Sequence, residues 1–475
     1  MPPDEQFSNE YKWDIVKTKI QLIATSKIVM LTSGNWESLK DLRNVYTDHV
    51  FNLPSAVYRW SNDLFFGLQR LNSLNHSLIQ LCTKIPEKFP VNDIMLEPLL
   101  EGLTIQQAIE QKRLFICDLK ILEGLYVRPD FVLCAPMALF FVDSEKQLRP
   151  LAIQLFQEPG PDNPIFLPTD HSLTWALVKM WYNSADAAYH QSLTHLGFTH
   201  LLMEGVVVAT HRQLSQSHPI FKLLAPHFLY LIAINSRGLE LLVSENGWVD
   251  KTMNFGIKGM FELIRRGIEM WRLDLHGTLP EDLKQRGLDD LSVLPGYYFR
   301  DDALLHYKAI NKYVKAYVAL YYGKHRCARQ WNFTSNEQLT AVLTTIIYTC
   351  SVSHASTNFP QYDEYGFPPN YPGLLRGSPP KDKRECTEQD ILKCLPDRPT
   401  TLDIMIVTKI LSQRGTKSLG DFEVQYIFDD EAREIVHEFR KDVAEISKII
   451  KARNTQRNPP YLFLDPDIVP NSISI

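Results

Sequence analysis

The sequence has no long hydrophobic run in its 475 residues. Its most apolar stretches, Ala135 to Val142 and Leu223 to Ile234, fall short of the roughly 20 residues a membrane-spanning helix needs. The second of them also carries Pro226 and His227. The first residues, MPPDEQFSNEYKWD, are polar and acidic, which is wrong for a signal peptide. A basic excess is missing too. There are 50 Lys and Arg against 55 Asp and Glu, a net charge of −5, so a protein living on nucleic-acid phosphates is disfavoured. Cysteine is sparse: the seven are dispersed, odd in number and without a C-x-x-C pair. They read as reduced thiols that fill core space in a cytosolic-type compartment, and we expect a cytoplasmic protein with room for peripheral membrane contact. No H-E-x-x-H occurs, which argues against a zinc-protease site. The lone E-x-x-H, Glu434 to His437, is half of what a di-iron carboxylate bundle requires and reads as a solvated helix face.

What is present is ordinary globular composition, 45% hydrophobic and 22% charged. Length alone suggests about three domains. The linker-like stretches, however, are short and flanked by apolar helices, and no internal repeat is visible. We therefore expect a mainly α protein, one large helical domain over residues 1–475. A helical extension is expected at 1–60 and a small β subdomain near 113–156. The β signals there are Leu114 to Cys117, Met137 to Val142 and Leu151 to Leu155. Helical patterns cover 170–242, 252–275, 302–321, 337–352 and 430–452. Those between 170 and 242 are apolar nearly all round, as in helices buried within a large protein.

Six of the 14 histidines lie between His190 and His227, in one of the most apolar parts of the chain. Each alone could be a hydrogen-bonded core histidine. Six together are costly to bury without a shared task, and neutral imidazole is the commonest metal ligand in proteins. The first three run H-x4-H-x4-H: His190, His195, His200. On an ideal α-helix, residues five apart point about 140° away from each other. A π-type turn, bonded i→i+5, brings them onto nearly the same face. If His195 and His200 share a metal, the helix must be wound wider there. Downstream, His354 and Asn358 are four apart on an apolar helix and share a face. Three imidazoles and an amide oxygen suit iron or manganese better than a thiolate metal.

With these residues the chain resembles a lipoxygenase. The H-x4-H-x4-H pattern within Ser184 to His200 continues as x17-His218-x8-His227. A second metal-helix motif is matched by His354-Ala-Ser-Thr-Asn358, and the chain ends Ile-Val-Pro-Asn-Ser-Ile-Ser-Ile. The likeness runs from about Trp60 to Ile475, closest to animal and bacterial members. It implies a non-haem iron held by His195, His200, His354, Asn358 and the terminal carboxylate of Ile475, with water or hydroxide in the sixth position. Manganese is the lesser alternative. His190, His218 and His227 are then structural, while Gln191 and Gln361 form the hydrogen-bond network between metal helices and substrate.

The implied activity is dioxygenation. The iron-bound hydroxide takes a hydrogen atom from a cis,cis-1,4-pentadiene in a C18 or C20 polyunsaturated fatty acid such as linoleate or arachidonate. Dioxygen then adds to give a hydroperoxide. The partners are thus a fatty acid and O2, with no nucleic acid, and the chain is expected to be a monomer. Leu196, Ile234 and Leu242 match lining positions of the substrate channel; Ala187 stands in for a bulkier residue at a position that shapes its floor, and Thr252 and Met253 match neighbouring specificity positions. Core packing is the plain alternative for Leu196, Ile234 and Leu242. Gly238 falls where the family places Ala or Gly, glycine going with R-configured products. The sequence departs from many members in having no N-terminal β-barrel (PLAT) pattern and in Pro360, which ends the metal helix. Arg237 reads as a surface arginine rather than a carboxylate partner. A hydroperoxide isomerase on the same site is the runner-up. A non-catalytic lipid-binding module is disfavoured by the intact ligand set.

Overall fold

The computed structural model describes residues 36–46, 51–323 and 335–475. Most of the helical expectation for 1–60 therefore lies outside the described residues. Within them, that stretch forms two short 3₁₀ turns, Asp41–Val45 and Ser55–Tyr58.

The expected β subdomain is an antiparallel sheet, β1 (Gln80–Leu81), β2 (Leu114–Asp118), β3 (Met137–Val142) and β4 (Leu148–Gln154), in that order. The pair Gln80–Leu81 is too short to signal a strand by itself and is recruited by pairing with Ile116 and Phe115. The register of β3 and β4 slips between Leu139 and Phe140, where Phe140 faces Pro150. Proline has no N–H for the ladder, and a bulge accommodates it. Strand β3, MALFFV, is buried at every position. One face packs Met137, Leu139 and Phe141 against Phe89, Leu96 and Leu100. The other packs Ala138, Phe140 and Val142 into the main helical core. A strand covered on both sides reads as a continuous apolar run, as this one does.

Helix α1 (Asp63–Asn72) starts at Asn62, whose side chain accepts from the Phe65 N–H. Its Gly67 lies on the backbone of β4: a Cβ there would sit 2.0 Å from the Leu148 carbonyl oxygen. Helix α2 (Ser172–Tyr189), buried throughout from Thr174 to Ala188, passes without a break into a π-helix over His190–Leu201 and then into α3 (Leu202–Gln213). Helices α4 (Leu231–Leu241), α5 (Gly256–Met270) and α6 (Tyr298–Tyr322) follow. Helix α7 (Asn336–Tyr348) leads through a second π-segment, Thr349–Ser353, into α8 (His354–Asn358), and Pro360 opens a separate short helix.

The sequence pattern missed several helices, among them α1, Ile105–Glu110, Leu279–Gln285, Glu388–Cys394 and α9 (Arg398–Leu411). Prolines 396 and 399 hid α9. Yet Pro399 sits in its first turn, where the missing N–H costs nothing, and Asp397 caps it by accepting from the Thr400 N–H. Helix α10 (Asp430–Asn454) packs along α6. The main buried cluster draws on residues from Leu42 to Ile473. No single helix among the described residues is long and apolar enough to cross a membrane. Cys82, Cys117, Cys134, Cys350, Cys386 and Cys394 are buried free thiols; Cys327 lies outside the described residues.

Candidate metal centre and adjoining cavity

The π-helix puts His195 and His200 on one face, and α8 brings His354 against them. The three offer ligand atoms within 4.8 Å of one another, all from buried residues. His200 Nε2 and His354 Nε2 are 3.1 Å apart. His195 Nε2 and His354 Nδ1 have no hydrogen-bond partner. Burial pushes all three imidazoles down: His200 to about 4, and His195 and His354 well below the ordinary histidine value, helped by each other's proximity. Near neutral pH they are uncharged, and three neutral imidazoles converging on one point are a donor set that fits a metal ion.

The other expected ligands are beside them. Asn358 is fully buried and lies within hydrogen-bond reach of His195. The Ile475 backbone reaches His354, in a tail buried from Val469 to Ile475. That tail is held by Ser472 Oγ donating to the Leu229 carbonyl at 2.6 Å and by His227 Nδ1 at 2.8 Å from the Asn471 carbonyl. Gln191 Nε2 donates to Gln361 Oε1 at 2.9 Å, and Gln361 Nε2 donates to Asn358 Oδ1 at 2.8 Å. This chain of amides links the π-helix to α8.

The remaining histidines are engaged by the fold. His190 lies 2.8 Å from both the Tyr365 hydroxyl and the Thr357 carbonyl. His218 Nδ1 caps Pro219–Leu224 by accepting from the Ile220 N–H. Glu434 and His437 stand on an exposed face of α10.

A narrow cavity of about 70 Å³ opens beside the histidines. Its wall contains Leu196, Ile234, Gly238 and Leu242, together with Gln191, His195, His200 and Ile475. Sequence reasoning missed Asn235, Trp248, Val249, Met260 and Leu411, which also line it. An amide directly after the apolar run Leu231 to Ile234, as at Asn235, was the one signal available. A Cβ added to Gly238 would meet nothing within 4 Å. The wall does not include Ala187, Thr252 or Met253, each buried in the core; Thr252 Oγ1 donates to the Trp248 carbonyl. Arg237 is exposed and outside the wall.

Sequence reasoning also missed a buried charge pair. Arg70 of α1 bonds Asp186 of α2, Asp186 takes Asn75 Nδ2, and Asn75 Oδ1 accepts from Thr194 in the π-helix at 2.6 Å. The widened helix is thereby tied to α1.

Comparison with known proteins agrees with this geometry. The family model described as Lipoxygenase matches residues 51–330 and 324–460. Polyunsaturated fatty acid lipoxygenase ALOX15B of Rattus norvegicus is 36% identical over 480 residues, covering 93% of this chain and 70% of that protein. Hydroperoxide isomerase ALOXE3 of Rattus norvegicus is 34% identical over 476 residues, covering 93% and 66%. The chain thus spans about two thirds of the length of these relatives. An anaerobic crystal structure of a LOX carrying a delta413-417:GS change, in complex with arachidonate, matches with a TM-score of 0.95 at 32% identity, over 100% of this chain and 76% of that one. In family match, overall fold and buried histidine cluster alike, the chain belongs to the lipoxygenase family, enzymes that oxygenate fatty acids.

Proposed function

We propose that this lipoxygenase inserts dioxygen into C18 or C20 polyunsaturated fatty acids at a cis,cis-1,4-pentadiene, giving hydroperoxides of R configuration. The observation that carries the reading is the convergence of His195, His200 and His354 on one point beside a cavity walled by Leu196, Ile234, Gly238 and Leu242.

These three histidines would hold a non-haem iron, with Asn358 and the Ile475 carboxylate completing the set. When bound, the iron supplies a one-electron oxidant for the weak bis-allylic C–H bond. The chain's own residues do the rest: they bind, orient and exclude water. The cavity is narrow, about 70 Å³, and an acyl chain entering it parts Leu196, Ile234 and Leu242. The same side chains then hold the pentadiene against the histidines. Gly238 leaves space for dioxygen at one end of the pentadiene, which supports the R assignment. The amide chain Gln191–Gln361–Asn358 transmits the position of the cavity wall to the metal side.

The test is metal analysis together with conjugated-diene absorbance on adding linoleate. Absence of both iron and diene would overturn the reading. The hydroperoxide isomerase among the relatives favours one second reading, an epoxy-alcohol-forming isomerase on the same site. Oxygen uptake separates them: a dioxygenase consumes O2 with free fatty acid, an isomerase consumes preformed hydroperoxide and little O2.

A further inference from the structure

Asn235 lies on α4, between Ile234 and Gly238 of the cavity wall, and is 4% exposed. Its side chain reaches His200 from behind. Asn235 Oδ1 is 2.8 Å from His200 Nδ1. Asn235 Nδ2 donates to the His200 carbonyl at 3.0 Å and to Glu204 Oε2 at 2.7 Å. Glu204 follows His200 by one turn, on α3.

The two contacts of Nδ2 settle the orientation of the amide. A carbonyl and a carboxylate only accept, so the NH2 end must face them. The oxygen end then faces His200, and an amide oxygen also only accepts. His200 Nδ1 must therefore carry the proton, which leaves the lone pair on Nε2. That atom is the one facing His354.

We propose that Asn235, oriented by Glu204, is a positioning residue that locks His200 in its Nδ1–H tautomer and aims Nε2 into the metal centre. The proposal rests on the reading of His200 as a metal ligand. Partners of this kind around ligating histidines change metal affinity about 10- to 100-fold.

The test uses the full chain with iron(II) and cobalt(II) as probes, read by chelator competition and by the cobalt absorption spectrum, alongside thermal melting without metal. Asn235→Leu is expected to weaken metal binding about 10- to 100-fold and to alter the cobalt spectrum. Asn235→Gln keeps both an acceptor for Nδ1 and a donor for Glu204 and should hold metal more tightly than Asn235→Leu. Glu204 is only partly buried, so Glu204→Ala should fold and lose affinity several-fold. This second variant decides the matter if Asn235→Leu does not fold. Wild-type affinity and spectrum in folded Asn235→Leu, or in Glu204→Ala where that variant decides, overturn the proposal. His200→Ala serves as the control: wild-type metal binding in that variant would refute the ligand reading itself, a different failure.

Discussion

His200 and His354 direct their Nε2 atoms at each other across 3.1 Å, from positions 154 residues apart in sequence. Burial holds both imidazoles uncharged, so the pair offers lone pairs rather than repelling cations. Replacing either by alanine should reduce bound iron from about one per chain to under a tenth, since a site that loses one of three imidazoles no longer closes around the ion. Added iron should raise the melting temperature of the wild type and leave both variants unmoved. Metal analysis and paired melts check this.

Gly238→Ala adds a methyl where nothing lies within 4 Å. The variant should fold as well as the wild type and gain up to about 1 kcal/mol, because alanine is the better helix former. Its hydroperoxide should shift from R toward S, with the oxygenated carbon moving to the other end of the pentadiene. Chiral chromatography of the product reads this directly, and an unchanged R:S ratio would refute the role given to Gly238.

Leu196→Ala enlarges the cavity beside His195. Leu196 is only half-buried, so the cost in stability should stay near or below about 2 kcal/mol, the low end for truncating leucine. The effect on turnover should be larger: a loosely held pentadiene loses orientation, and kcat should fall by about 10-fold or more. A broader spread of positional isomers should accompany it.

Acid should destabilise the fold through its buried histidines. Burial pushes His227 down to about 4 and His190 to about 3, whereas an unfolded histidine titrates near 6.5. Between those values the unfolded chain holds protons that the folded one does not. Stability is therefore fully present above about pH 6.5 and is lost as the pH falls toward 4. His227 alone accounts for on the order of 3 kcal/mol across that window. Urea midpoints at pH 7 and pH 5 should differ less in His227→Gln than in the wild type. Equal pH slopes would contradict the assignment.

Gly67→Ala should be strongly destabilising. The new Cβ would lie 2.0 Å from the Leu148 carbonyl oxygen, so α1 and β4 must separate. Overpacking of this kind costs about 1–3 kcal/mol or more, well beyond the gain in helix propensity. A drop in melting temperature, with metal affinity per folded molecule retained, is the expected outcome.

Much of the site was legible because spacing alone constrains it. Five-residue separation of His195 and His200 demanded a wider helix, and a π-helix is there. The second π-segment, Thr349–Ser353, had no such signal, because no pair of ligand-type residues five apart marks it. The strands β2 to β4 were visible as apolar runs, while β1 exists only through pairing. Helix α9 was hidden by prolines that its cap makes harmless. Asn235 could not be told from any other lone amide beside an apolar run until its three contacts were seen. For Ala187, Thr252 and Met253, residue type and family position say nothing of how far a narrow cavity extends, and the wall stops short of them.

Helix α4 carries Ile234 and Gly238 in the cavity wall and, between them, the amide that grips His200. Whatever displaces this turn on one side is felt on the other. Such coupling is reciprocal by thermodynamic necessity: if an acyl chain in the cavity changes metal affinity by some factor, the metal changes acyl-chain affinity by the same factor. Fatty-acid binding measured with and without metal would then report on the same turn of helix that metal binding reports on with and without fatty acid.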